Sequence, residues 1–101
     1  MKIELAQVPG VEGDLDANLD KALAYIERSR EETDLIVFPE THLTGFAEDG
    51  AAASRAISLD APVFTTLHQA AERKDLAIAL GFLERIDNDR CFNASVLITP
   101  E

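Results

Sequence analysis

The pattern of apolar and polar positions near the amino terminus predicts a strand followed by an amphipathic helix. The apolar segment 2–8 ends at Pro9-Gly10, and proline and glycine together indicate a loop. Asp14 suits a helix N-cap, because its carboxylate can accept hydrogen bonds from the free N–H groups of a first turn. The apolar residues that follow recur at the spacing of one helical face: Leu15, Leu19, Ala22, Leu23 and Ile26. This helix is expected to end within residues 29–33.

A second strand is predicted by the continuous apolar run from Leu35 to Phe38, which Pro39 ends. Such a run is typical of a strand that is buried on both faces of a parallel sheet. Strand, helix and strand together make a βαβ unit with a right-handed crossover.

A long connection and a second helix follow the βαβ unit. Residues 39–61 make the connection, with a short helical piece at 51–57, and connections of this length in a compact domain are usually functional or disordered. Asp60 and Pro62 mark the start of the next helix. One side of that helix carries Phe64, Leu67, His68 and Ala71.

The last third of the chain predicts a β-hairpin. Apolar strands at 76–83 and 92–99 flank the turn-rich segment 86–90, so the two strands are expected to pair antiparallel. The order β-α-β-loop-α-β-β therefore predicts an α/β fold with a mixed sheet and helices on at least one face.

Composition and charge exclude several classes of function. The 101 residues suffice for one domain, 47% are hydrophobic, and the formal net charge of −10 disfavours binding to nucleic acid or to an anionic membrane. No apolar run is long enough to span a bilayer, and Glu4 interrupts any signal-peptide segment, so a cytoplasmic protein is expected. The single cysteine, Cys91, allows no internal disulfide, and no zinc pattern exists.

Glu40 is the sharpest candidate for chemistry. It follows the second strand, and ligands of open α/β sheets bind beyond the carboxyl ends of the strands. A carboxylate held there against Phe38 and Leu43 would be partly desolvated, which suits a general base. The alternative from the pattern alone is a polar residue that faces water at the end of a strand.

The segment Phe38-Pro39-Glu40-Thr41-His42-Leu43-Thr44-Gly45-Phe46 resembles the glutamate motif of the nitrilase, or carbon–nitrogen hydrolase, superfamily. The opening segment, with Gly13-Asp14 and then Asn18 before a helix, is similar to the opening of these enzymes. The run 80–85 and the later Phe92-Asn93-Ala94-Ser95 resemble their next strand pair, although this chain has Phe92 and Ala94-Ser95 where the family favours Tyr and Ser-Ala. The stretch 97–101 resembles the residues that precede the family's lysine motif.

The resemblance implies the amino-terminal part of a nitrilase-type α-β-β-α sandwich, so that residues 1–101 are an incomplete portion of one carbon–nitrogen hydrolase domain. The family hydrolyses non-peptide carbon–nitrogen bonds of small amides or nitriles with a Glu, a Lys and a Cys, and it uses no metal and no organic cofactor. Only the Glu corresponds to a residue here, Glu40. Residues 1–101 alone are therefore expected to be inactive, and the full-length enzyme is expected to be a homo-oligomer.

Other residues are expected to shape or support the site around Glu40. The resemblance gives His42 a place at the rim of the pocket, and a Glu40–His42 pair is an alternative. Gly45 is expected to allow a close turn behind Glu40, and Asn93 is expected to support the backbone near the site. Cys91 stands in the hairpin, where the family has no nucleophile, and is expected to be an inert thiol.

Two other functions stay open at this point. The chain can be a non-catalytic α/β scaffold or interaction domain, since it carries no credible nucleophile of its own. It can also belong to the glutaminase domain of a glutamine-dependent synthetase, which uses the same fold.

Overall fold

The computed structural model describes residues 1–46 and 51–101, and these form a four-stranded sheet with helices. The elements are β1 (Ile3–Leu5), α1 (Leu15–Glu27), β2 (Leu35–Val37), α2 (Ala52–Arg55), α3 (Pro62–Lys74), β3 (Ala77–Arg85) and β4 (Cys91–Ile98). The strand order is β1-β2-β3-β4. The first three strands are parallel and β4 is antiparallel to β3, which confirms the predicted mixed sheet and hairpin.

The start of α1 is the predicted one. The Asp14 carboxylate accepts a hydrogen bond of 3.0 Å from the backbone N–H of Ala17, so Asp14 is the N-cap. The helix ends at Glu27, slightly before the predicted segment 29–33.

The start of α3 depends on Pro62 and not on Asp60. Pro62 opens the helix, where its missing N–H costs no hydrogen bond. The Asp60 carboxylate instead accepts a hydrogen bond from the Ser58 hydroxyl. In the preceding connection α2 matches the expected short helical piece, whereas residues 47–50 of that connection lie outside the described residues. No helix in the described ranges has both the length and the hydropathy needed to cross a membrane.

The core lies on one face of the sheet. Ile36, Ile78 and Ile98 are neighbours across β2, β3 and β4, and all three are buried. Helices α1 and α3 contact each other and close this face. The aromatic ring of Phe64 in α3 packs edge-on against that of Phe82, with 5.0 Å between centroids.

The opposite side of the sheet, which we call the open face, carries apolar residues that neither α1 nor α3 covers. Leu5, Val37, Ala79 and Leu97 are neighbours across the four strands on this side. The exposed fractions are 76% for Leu5 and 62% for Leu97, while Val37 and Ala79 are half-buried. The expectation that β2 is buried on both faces is therefore wrong for the described chain, because helices close only one face.

Candidate active site

Glu40 lies over the open face, immediately beyond the carboxyl end of β2. Its backbone rests on Gly81 of β3: a Cβ atom at Gly81 would lie 3.0 Å from the Cα of Glu40 and 2.5 Å from the backbone nitrogen of Thr41. Any other residue at Gly81 would collide with these backbone atoms. The sequence reasoning missed Gly81, although a glycine inside a strand often marks a close approach of another backbone.

The turn after Glu40 takes the place of β2 along the edge of β3. The backbone N–H of Leu43 donates to the carbonyl of Gly81 at 3.2 Å. Two residues further along β3, the N–H of Leu83 donates to the Thr44 hydroxyl at 3.0 Å. These bonds satisfy the backbone groups of β3 where β2 has ended, and they fix the turn to the sheet.

The turn itself contains two residues with left-handed backbone. Thr41 has φ of 51° and Gly45 has φ of 74°. The N–H of Gly45 donates to the carbonyl of Thr41 at 2.8 Å, so Gly45 closes the turn behind Glu40. Its Cβ position would lie 3.0 Å from the Cα of Glu12, so a side chain would be crowded there as well as strained by the positive φ. A β-branched residue such as Thr41 is strained in this conformation, and such strain concentrates at functional sites.

Asn93 contacts the carboxylate of Glu40 directly. Its side-chain amide, Nδ2, donates a hydrogen bond of 2.5 Å to Glu40 Oε1. In β4, Asn93 pairs with Leu83, and Ser95 pairs with Gly81. Because side chains alternate along a strand, Asn93 and Ser95 share the open face with the Glu40 turn.

A small cavity adjoins Glu40 on the open face. Its volume is about 190 Å³, and its walls are formed by the end of β2 with the residues that follow it, the middle of β3, and β4: Val37, Phe38, Pro39, Glu40, Ala79, Leu80, Gly81 and Ser95. Only Glu40 and Ser95 bring polar side chains to these walls. In the described chain Glu40 is exposed, so the partial desolvation expected from Phe38 and Leu43 is not present.

His42 lies behind the turn and not at the cavity. It is buried, with 3% of its surface exposed, and its ring is 5.2 Å from that of Phe38. Its Nε2 is 3.0 Å from the backbone carbonyl of Asn18, which can only accept, so Nε2 carries the proton. The other ring nitrogen, Nδ1, is buried without a hydrogen-bond partner among the described residues. The structure thus places His42 inside the protein, and the residue does not line the cavity beside Glu40.

Burial lowers the pKa of His42 below its ordinary value of 6.5. The Asn18 carbonyl acts in the opposite direction, and the positive charge of Lys21 adds to the lowering of the pKa. A neutral His42 is therefore the form that the fold favours.

Asn18 is a second residue that the hydrophobic pattern missed. It lies within α1 and not before it, and it is completely buried. Its side chain accepts from the N–H of Val11 at 2.7 Å and donates to the carbonyls of Val11 at 2.8 Å and Leu43 at 3.0 Å. Asn18 therefore ties the loop before α1 to the Glu40 turn. A polar residue on a helix can be read as solvated, so the pattern gave no sign of this role.

Cys91 is the first residue of β4, half-buried opposite Arg85, and so stands just inside the strand and not in the turn. It does not line the cavity beside Glu40. Within the described ranges, no cluster of three or more His, Cys, Asp or Glu side chains could hold a metal ion.

Comparison with known proteins identifies relatives that match along the chain. Residues 2–101 match the sequence model of the family described as carbon-nitrogen hydrolase. Over 101 residues the chain is 45% identical to an (R)-stereoselective amidase from a Pseudomonas species, an alignment that covers all of this chain and 36% of the relative. The chain thus spans about a third of that relative's length.

Solved structures share the arrangement of strands and helices. One is a CN-hydrolase superfamily protein from Xanthomonas campestris with an arsenic adduct in its active site: TM-score 0.83, 28% identity, covering 97% of this chain and 36% of that one. Another is Nit3 of Saccharomyces cerevisiae, a member of branch 10 of the nitrilase superfamily: TM-score 0.82, 24% identity, covering 99% and 40%. The nitrilase-type fold is therefore confirmed for the part of it that this chain forms.

Proposed function

The chain belongs to the carbon–nitrogen hydrolase family, and from this premise we propose that it supplies the general base, Glu40, of an amidase. In this proposal residues 1–101 are the amino-terminal portion of a single hydrolase domain. The remaining catalytic groups, a Lys and a Cys, belong to the rest of that domain.

The observation that carries the proposal is the way in which Glu40 is held. A carboxylate at a strand end on the surface needs no support, yet Glu40 has a glycine beneath its backbone, a strained Thr41 after it and an amide on its carboxylate. These three supports around one exposed carboxylate favour a catalytic role for Glu40 over that of a polar residue that only faces water.

The chemistry follows from the properties of the three groups. A cysteine thiolate attacks the carbon of an amide and forms a covalent acyl-enzyme, while a lysine stabilises the charge that develops on the oxygen. Glu40 accepts the thiol proton and gives it to the departing nitrogen as the carbon–nitrogen bond breaks; it then takes a proton from the water that attacks the acyl carbon and returns it to the cysteine sulfur as the carbon–sulfur bond breaks. One carboxylate can serve all these transfers because it is regenerated in each cycle.

Amides are the preferred substrate class in this proposal. The Pseudomonas relative, at 45% identity, is named as an amidase. The cavity beside Glu40 has mainly apolar walls, which suit the hydrocarbon part of a small amide.

An ammonia-release screen of the full-length protein tests the proposal. We expect turnover of primary amides, with weaker activity on carbamoyl compounds and nitriles. A reading frame that continues beyond Glu101 with a Lys motif and then a Cys motif would support the mechanism. Absence of turnover on all three classes by a folded full-length protein would refute it and leave a non-catalytic α/β domain as the better description.

A further inference from the structure

We propose that Asn93 is a positioning residue, which holds the Glu40 carboxylate in the orientation needed for proton transfer. This inference rests on the function proposed above and adds a second residue to it. The two residues are 53 positions apart in the sequence, and their side chains meet through a hydrogen bond of 2.5 Å from Asn93 Nδ2 to Glu40 Oε1.

Both ends of this hydrogen bond are anchored in the sheet. Asn93 lies within β4, opposite Leu83 of β3. The backbone of Glu40 rests on Gly81, two residues before Leu83 in the same strand. The bond therefore joins two side chains whose backbones are held at a fixed separation by the sheet.

The bond also gives the two oxygens of the Glu40 carboxylate different surroundings. Oε1 accepts from Asn93, and in the described chain no other side chain donates to Glu40. Oε2 therefore stays available to a reacting group. An amide can donate to a carboxylate but cannot take a proton from it, so Asn93 orients Glu40 without competing for the proton that the base must accept.

Carboxylates that act as bases lose efficiency when they rotate freely, because proton transfer needs a fixed distance and angle. Asn93 restrains that rotation. Its contribution should therefore appear in the chemical step more than in substrate binding.

The test compares variants of the full-length protein in amide hydrolysis. Asn93→Leu keeps the size of the side chain and removes the donor. We expect kcat to fall roughly 10- to 100-fold, the effect of losing one hydrogen bond to a charged group, with KM changed far less and the thermal unfolding midpoint retained. The matched control is Asn88→Leu, the same change in the exposed hairpin between β3 and β4, which should leave kcat unchanged.

Asn93→Asp supplies a readout that a structural role would not give. The introduced carboxyl group faces Glu40 in place of the amide, so two like charges adjoin each other when both groups are ionised. At lower pH the protonated new carboxyl group can donate to Glu40 and replace the lost amide. We expect the pH optimum of this variant to move to lower pH than in the wild type.

The outcomes separate this inference from the proposed function. If Glu40→Gln abolishes hydrolysis while Asn93→Leu keeps wild-type kcat, the role of Asn93 is refuted and the function stands. The role of Asn93 is likewise refuted if Asn93→Leu lowers kcat only together with the unfolding midpoint, or if the pH profile of Asn93→Asp matches that of the wild type. If Glu40→Gln has no effect, the function itself fails.

Discussion

Gly81 and Glu40 are in direct backbone contact: the place where Gly81 would carry a Cβ atom is 3.0 Å from the Glu40 Cα. The same position is 2.5 Å from the backbone nitrogen of Thr41, closer than two such atoms can approach. The Glu40 turn can therefore pack against the middle of β3 only because residue 81 is a glycine.

Gly81→Ala should therefore displace the Glu40 turn. The added methyl group meets backbone and not a flexible side chain, so we expect a loss of about 1–3 kcal/mol in the free energy of unfolding, as for overpacked cores. In the full-length protein kcat should fall as well, because Glu40 moves. Urea unfolding and steady-state kinetics measure the two effects.

Gly10→Ala is the matched control. Its Cβ atom would lie 3.5 Å from the carbonyl oxygen of His42, an ordinary contact. We expect this change to alter the free energy of unfolding by less than about 0.5 kcal/mol. Equal effects of the two substitutions would show that the contact at Gly81 is not specific.

The periodic pattern predicts the elements well but not what holds the site. The apolar spacing around Ile26 and the cap at Asp14 depend on neighbours in sequence, so α1 is confirmed nearly to its bounds. The hydrogen bond between Glu40 and Asn93 joins residues 53 positions apart, and only the register of β3 and β4 brings them together. Asn18 is polar on a helix, and the pattern gives no sign that it is buried.

The hydrophobic pattern also could not predict that one face of the sheet is left uncovered by helices in the described chain. A continuous apolar run such as 35–38 has the same appearance whether the element that covers its second face is near or far along the chain. The local sequence predicts that β2 is buried, but it does not indicate which segment of the protein covers the strand.

Glu40→Gln in the full-length protein removes the proposed base and keeps the shape of the side chain. We expect kcat to fall by roughly 10²–10⁴-fold, the usual contribution of a general base. The Asn93 amide can donate to the glutamine carbonyl oxygen as it does to the Glu40 carboxylate, so folding should be retained. Ammonia release under saturating amide measures the change. Activity near that of the wild type would mean that the base is elsewhere.

The lowered pKa of His42 predicts a loss of stability in mild acid. Well above pH 6.5 His42 is neutral in both the folded and the unfolded chain, so its contribution to the free energy of unfolding is constant. Below pH 6.5 the unfolded chain takes up a proton that the folded chain resists, so the free energy of unfolding decreases as pH falls toward the folded-state pKa. Urea unfolding at a series of pH values from about 7.5 to about 5 measures this slope.

His42→Gln should flatten that slope, because glutamine does not titrate and its amide can still donate toward the Asn18 carbonyl. His68→Gln is the matched control: His68 lies on α3, half-buried, beside Glu72. We expect this control to keep more of the acid sensitivity than His42→Gln. If both variants keep the full slope, the acid sensitivity arises from other groups.

The open face predicts the behaviour of residues 1–101 expressed alone. Leu5 and Leu97 expose 76% and 62% of their surface on this face, in one row with Val37 and Ala79. Apolar sheet surface of this kind associates with another copy when nothing else covers it. We expect the isolated chain to self-associate in sedimentation velocity runs, and the double change Leu5→Lys and Leu97→Lys to shift it toward monomer.

Leu59→Lys, at a leucine that is 54% exposed outside the sheet, is the control and should leave association unchanged. A wild-type chain that is monomeric at high concentration would contradict the prediction, because the open face would then be stable in water.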